Sequence, residues 1–373
     1  MIYLDHNATT ILHPFVKTKM DEIALFPINP SATHSYGRKG KGILENARRS
    51  IARLLCFDDC HKDYQVTFTS SGTEANNLIL FNFNDAEIFI SATEHPSILS
   101  HKKFSSNIQT IKVDEDGILD FDDLINKLQN SKSEKKLVSV MLANNETGVI
   151  QPIKKIAKIA HEHGAIMHSD CVQAIGKINV NILDLDLDFV SISGHKFGGP
   201  IGVGALIGKA SILLKPMILG GGQEKNLRAG TENVHGIAGL GEAALLAKKE
   251  LTSRNTHMRK LQKQLESALL ESFPEIKIAG MKSERLPNTS LILNSRKKAE
   301  IQLIAFDLKN IAISSGSACS SGKIGLSYVL EEMGCSEREA RSAIRVSVGA
   351  GSTEEDIDNF IKIYKEINKE SYA

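Results

Sequence analysis

The arrangement that most limits what this chain can fold into is a repeated alternation of short apolar runs with stretches whose apolar residues recur at helical spacing. Residues 137–143 and 165–169 are short and apolar, while Ile153, Ile156, Ala157 and Ala160 between them fall three, one and three apart. This is the pattern of a βαβ unit. Pro152 suits a first helical turn, where its missing N–H is harmless, and Gly164 suits the left-handed position that ends a helix. Runs at 65–69, 87–91, 108–112 and 189–193 continue the alternation. The chain therefore predicts an α/β fold, a mostly parallel sheet covered by helices.

At 373 residues the chain exceeds one ordinary core. A long helical pattern begins near Val234 and runs past Lys249, and the polar residues 252–257 predict its interruption. A boundary there gives a large domain over 15–250 and a smaller α+β domain made of 1–14 with 251–373. The latter holds strand-like 290–293, helical 299–308, a Ser/Gly-rich stretch at 314–322, strand-like 343–348 and a terminal helix from Thr353.

Lys plus Arg number 45 against 44 Asp plus Glu, and a formal charge of +1 offers no field for gathering nucleic acid or anionic membrane. A small-molecule substrate is predicted. No apolar run approaches the roughly 20 residues that span a bilayer, and Met1 to Thr10 carry neither a basic nor an apolar leader, which predicts a cytoplasmic protein. Five irregularly spaced cysteines predict reduced thiols. Two ligand-rich clusters, Cys56 to His61 and His161-Glu162-His163, lack a complete zinc spacing, so no metal centre is predicted.

The chemistry gathers at strand ends. Ser193-Gly194-His195-Lys196 follows a strand and opens a glycine-rich turn, where a lysine can form a Schiff base. Alone it would be read as a solvated loop lysine. Three neighbours argue otherwise: Asp170 closes the 165–169 strand and can hold a pyridine nitrogen protonated; Ser70-Ser71-Gly72-Thr73 begins a helix where a phosphate can sit; and Thr93-Glu94-His95 supplies an imidazole for ring stacking or proton transfer. Adjacent strands are expected to deliver all four to one sheet edge. The polar 314–322 stretch presents Cys319 as a nucleophile, and Arg345, inside an apolar strand, needs an anion: a substrate carboxylate or an internal acid.

These residues resemble the cysteine desulfurase family, in the class V aminotransferase-like branch of fold-type I pyridoxal-5′-phosphate (PLP) enzymes, and the likeness covers nearly the whole chain. The opening Tyr3-Leu4-Asp5-His6-Asn7-Ala8-Thr9-Thr10 is similar to that family's first line. The resemblance implies Lys196 as the Schiff-base lysine, Ser193, His195, Thr73 and the Gly72 backbone around the cofactor phosphate, and His95 stacked on the ring and moving protons. It implies Asn145, in Ala143-Asn144-Asn145-Glu146-Thr147-Gly148, beside ring and substrate, Asp170 at the ring nitrogen and Gln173 at the 3′-oxygen. Thr231, in Arg228-Ala229-Gly230-Thr231-Glu232-Asn233, is implied to complete a partner subunit's phosphate site, hence a homodimer. Cys319 is implied as persulfide carrier and Arg345 as the grip on the carboxylate of L-cysteine.

The expected reaction takes sulfur from L-cysteine, leaves L-alanine, and passes a Cys319 persulfide to a protein acceptor such as an iron-sulfur scaffold or sulfur carrier. Departures from the family pattern are Cys171 in place of a small residue, Lys323-Ile324-Gly325-Leu326 in place of an acidic, proline-containing stretch, Ala350 where arginine is common, and an end at Ala373 without a longer docking tail. Two rivals stay open. Another class V activity, transamination or selenocysteine lyase chemistry, would not need Cys319; a non-catalytic sulfur-relay or scaffold-binding homologue would need no turnover.

Overall fold

The structure, a computed structural model, describes residues 1–56, 63–316 and 326–369. A short strand β1 (Ile2–Tyr3) precedes the main sheet, whose strands in chain order are β2 (Tyr64–Thr69), β3 (Glu87–Ser91), β4 (Ile108–Ile111), β5 (Lys136–Ser139), β6 (Ala165–Asp170), β7 (Phe189–Ser193) and β8 (Gly204–Lys209). Their spatial order is β2-β8-β7-β6-β5-β3-β4, and only β8 runs against its neighbours. Because β8 is antiparallel to both β2 and β7, those two point the same way. The carboxyl ends of β2, β3, β5, β6 and β7 therefore share one edge.

The strands are apolar on both faces because helices cover both, which is why they read as continuous runs rather than alternating ones. The helix Ile153–Glu162 between β5 and β6 turns Ile153, Ile156, Ala157 and Ala160 inward, and Gly164 follows at φ +71°. Pro152 sits one position earlier than the sequence suggests, as the residue before the helix.

A second core lies beyond the main sheet. Strands β9 (Lys277–Ile278), β10 (Thr289–Leu293), β11 (Ile311–Ala312), β12 (Ser314–Ser315) and β13 (Ile344–Ser347) form a four-stranded sheet of order β12-β13-β10-β9 and a two-stranded pair, β1 with β11. Helices Ala299–Leu308 and Glu354–Lys369 cover it, with Phe306 and Phe360 stacked at 4.6 Å between centroids.

The expected break at 252–257 does not occur: one helix runs from Val234 to Ser272. Its first half buries Ile237, Leu240 and Ala244 in the main core, and its second half buries Met258, Leu261, Leu265 and Leu269 in the other. The polar stretch crosses the gap that neither core covers. It stays helical with local support, Arg254 donating to Glu250 at 2.6 and 2.9 Å one turn earlier and Asn255 Nδ2 donating to Lys177 O at 2.8 Å.

Candidate active site

The shared strand edge opens on a cavity of about 300 Å³. Gly72, Thr73, His95, Asn145, Asp170 and Gln173 line it, as do Ser193, His195, Lys196 and Arg345. Of the contributing strands only β6 and β7 are neighbours: β8 separates β2 from β7, and β5 separates β3 from β6. The gathering is produced by strand direction instead. Thr231 is exposed and outside the cavity lining, and Cys319 lies outside the described residues.

At the end of β2, the Ser71 side chain caps the helix Gly72–Asn82 by accepting from Glu74 N at 3.1 Å. A Cβ on Gly72 would stand 2.7 Å from Val172 Cγ2 and 3.4 Å from Ser193 Cβ, so only glycine lets this turn lie against the next strand ends. Glu74 accepts from Ser70 N at 2.8 Å and from Arg228 Nε at 2.9 Å. The 228–233 segment is thereby tied to the turn.

Asp170 ends β6 with its charge already held: Asn76 Nδ2 donates to Oδ2 at 2.7 Å and Val172 N donates to Oδ1 at 2.9 Å. The same Asn76 amide donates to Ser97 Oγ at 2.9 Å, and Ser97 Oγ lies 2.9 Å from His95 Nδ1. Since the Ser97 backbone N–H also donates to Nδ1, at 3.1 Å, that nitrogen must be the acceptor and the neutral ring carries its proton on Nε2. Burial lowers the His95 pKa, Asp170 opposes the shift and Lys196 adds to it. His95 caps the short helix Pro96–Leu99, and a proton added at Nδ1 would also cost that helix its cap.

Lys196 Nζ donates to two backbone carbonyls, Asn7 O and Ala8 O, each at 2.7 Å. Beside it His195 contacts Thr9 Oγ1 at 3.1 Å, and its pKa falls to about 4 through burial and then the Lys196 charge. Arg345, 2 % exposed, donates from Nη2 to Asp5 Oδ1 at 2.6 Å and from Nη1 to Asn145 O at 2.9 Å. The internal acid that the sequence left open as its partner is thus Asp5. Glu146, fully buried, accepts from Ser327 Oγ at 2.6 Å; burial raises its pKa to about 7, against that bond and Arg345.

Three cavity-lining side chains have a buried polar atom without a partner: Asn145 Oδ1, Asn76 Oδ1 and Arg345 Nε. Native interiors rarely leave such atoms unmatched. Arg345 Nε needs an acceptor and the two amide oxygens need donors, so with a helix start for a phosphate, a carboxylate for a ring nitrogen and a lysine amine the site fits a planar anionic aldehyde cofactor and an amino acid, which brings both a carboxylate and N–H groups.

Sequence reading missed Asp5, Asn7, Asn76, Ser97 and Glu146 as working parts. Asn76 and Glu146 had a usable signal, a polar residue at a position that the helix or turn buries. Cys171, a departure from the family pattern, is fully buried with its thiol pKa pushed up by desolvation, so it packs rather than reacts. In the other ligand-rich stretch His161 contacts Asp186 and Asp188, at 3.0 and 2.9 Å, and His163 Nδ1 contacts Ile159 O. Among the described residues no group of three metal-ligating side chains is assembled, and no helix is long and apolar enough to cross a membrane.

The profile of the family described as aminotransferase class-V matches residues 2–360. A cysteine desulfurase of Gluconacetobacter diazotrophicus is 38% identical over 373 residues, covering 97% of this chain and 92% of that protein. The X-ray structure of a NifS-like protein from Rickettsia africae superimposes with a TM-score of 0.94 at 46% identity, covering 99% of both chains. A structure of SspA in complex with cysteine gives a TM-score of 0.77 at 26% identity, covering 95% of this chain and 100% of the other. The chain is a member of the class-V aminotransferases and, within them, of the cysteine desulfurase family.

Proposed function

We propose that the protein takes sulfur from L-cysteine with PLP as cofactor, releasing L-alanine and leaving a persulfide on Cys319. The observation that carries this reading is the convergence of Lys196, Asp170, His95 and Arg345 on one cavity with unmatched polar atoms. PLP, when bound, supplies an electron sink for the α-carbon of an amino acid.

Ser71 to Thr73, Ser193 and His195 would hold the phosphate, Asp170, its charge steadied by Asn76 and Val172 N, would serve the ring nitrogen, and Gln173 would serve the 3′-oxygen. The Lys196 amine carries the proton removed from the substrate α-carbon, and the Asn7 and Ala8 carbonyls hold that amine when it is free. His95 would stack on the ring, with its Nε2–H free to move a proton at the substrate. Arg345, with Asn145 beside it, binds the substrate carboxylate through the Nε–H that has no internal partner. The Cys319 thiolate would attack the substrate sulfur: an S–S bond forms as the C–S bond breaks, and the C–S electron pair passes to the substrate β-carbon, which a proton completes as the methyl of alanine.

The reading extends to a homodimer in the cytoplasm, Thr231 serving the partner's site, and to a protein acceptor for the persulfide sulfur. The exposed Thr231 is available for that role, and a near-neutral chain suits a soluble relay between proteins.

The test uses protein loaded with PLP and assayed for alanine, sulfide and persulfide. Lys196→Ala should lose the visible band of lysine-bound cofactor and all turnover. Cys319→Ala should keep the band and its change on cysteine addition, yet form no persulfide. A Cys319→Ala protein with undiminished sulfide release refutes the proposal, because the rival class V chemistries do not need that thiol.

A further inference from the structure

Beneath the cavity lies a lysine to which the reaction as proposed gives no part. Lys177 is only 5 % exposed, and its Nζ donates to Gln173 Oε1 at 2.8 Å and to Asn7 Oδ1 at 2.9 Å. Both partners are amide oxygens; among the described residues no carboxylate pairs with it. A buried cation without a counterion is costly, so the group must return something structural or functional.

What it returns is read from Gln173. A carboxamide can sit in either of two flipped orientations, and nothing in the side chain itself chooses between them. Here two unambiguous neighbours choose. Lys177 points an N–H at Oε1, and the Asn7 carbonyl, which can only accept, faces Nε2, at 3.0 Å. The second Nε2 proton is then left on a side chain that lines the cavity. Without Lys177 only the Asn7 carbonyl would hold the amide, and a turned-over amide would offer the cavity an oxygen, which would repel an oxyanion.

Asn7 extends the same logic. Its Oδ1 accepts from Lys177 and from Asn288 Nδ2, at 3.0 Å, so its own Nδ2 is directed to Thr289 Oγ1 at 2.8 Å and Asn145 O at 3.2 Å. Its backbone carbonyl meanwhile receives both Gln173 and Lys196.

We propose that Lys177 is a positioning residue for the cofactor site: it fixes the Gln173 carboxamide in the one orientation that presents an N–H to an anionic oxygen of the cofactor. The inference rests on the reading of this cavity as the PLP site. It does not need a charge on Lys177. Burial, with Lys196 and Arg345 nearby, lowers its pKa well below the ordinary lysine value, and a neutral amine still has two N–H bonds, one for each amide oxygen.

The experiment is a double-mutant cycle on the full-length protein, read by the dissociation constant for PLP and by the pH at which the visible band of lysine-bound cofactor titrates. Lys177→Met and Gln173→Ala should each weaken PLP binding about tenfold, the scale of one buried hydrogen bond, and shift the band's titration in the same direction. In the Gln173→Ala background, Lys177→Met should add less than about twofold. Independent effects that multiply in the double variant overturn the inference, as does a Lys177→Met protein with wild-type affinity and titration. Should Gln173→Ala alone change neither readout, the cofactor-site reading of Gln173 fails and the inference with it, an outcome distinct from failure at Lys177 alone. Lys177→Ala takes the place of the methionine variant in the same cycle if that variant does not fold.

Discussion

Replacing Arg345 by methionine should raise the KM for cysteine by about two orders of magnitude while leaving PLP in place. A carboxylate seated on this guanidinium would gain the unmatched Nε–H and one further N–H, two charge-assisted bonds of about 1.5–3 kcal/mol each. The gain is reduced because Arg345 already serves Asp5 at 2.6 Å, so the lower end, about 3 kcal/mol in all, is the better estimate. At about 1.4 kcal/mol per decade that is roughly a hundredfold. Arg345→Lys keeps a charge but not the planar fork and should lose about tenfold. Asp5→Asn should act in the opposite direction, lowering KM severalfold, because it removes the internal competitor. The assay is steady-state alanine formation against cysteine concentration, paired with titration of the cysteine-induced change in the visible spectrum. If Arg345→Met keeps KM within about twofold of wild type, the carboxylate is not held here and the assignment is wrong.

Two further outcomes follow from buried charge elsewhere. His168 is fully buried between Ser139 Oγ at 2.8 Å and Ser191 Oγ at 2.9 Å, and burial lowers its pKa from 6.5 to about 3. The folded state then holds fewer protons than the unfolded one, so this stability is complete above about pH 6.5 and is lost as pH falls toward 3; at pH 5 the loss is about 2 kcal/mol. Urea unfolding of wild type against His168→Asn at pH 7.5 and 5 checks this, and identical slopes with pH would contradict it. Glu266 grips Arg285 through two bonds of 2.8 Å, both side chains being buried, so Glu266→Gln should destabilise by about 3–5 kcal/mol. A loss below about 1 kcal/mol in denaturant unfolding would show that water enters this pair.

How far the sequence reached depended on whether a residue's neighbours were local. The βαβ alternation was legible because a strand buried on both faces must be a short apolar run. Strand β8 was not, since Gly204 and Gly208 read as breakers; Gly208 is there because a Cβ would stand 2.3 Å from Phe189 Cε1 on β7. The helix Val234–Ser272 was misread for the converse reason, polar residues marking a span between two cores and not an end. Lys196, Asp170 and His95 were found because strand ends announce themselves. Asn76 meets Asp170 94 residues away and Asp5 meets Arg345 340 away, which no local pattern reports; Lys177 joins Gln173, four residues back, to the distant Asn7.

The distant partners converge on one segment, and that convergence bears on how the two cores act together. Leu4 packs in the second core and the β1 backbone pairs with β11, so the first residues are anchored outside the main sheet. Yet within the next four residues Asp5 takes Arg345, Asn7 takes Lys177, Gln173 and Lys196, and Ala8 takes Lys196 again. Arg345 itself stands on β13, in the second core's sheet, and donates to Asn145 O, in the loop beyond β5 of the first. Moving one core against the other would therefore disturb the amine of Lys196 and the proposed grip of Arg345 on a substrate carboxylate together. A substrate carboxylate that draws Arg345 from Asp5 loosens one of the ties that hold this segment, so binding at the arginine and the position of the lysine's acceptors are coupled through Asp5 to Ala8. The reciprocal must hold thermodynamically: whatever fixes Asn7 also tunes the affinity of Arg345 for its ligand.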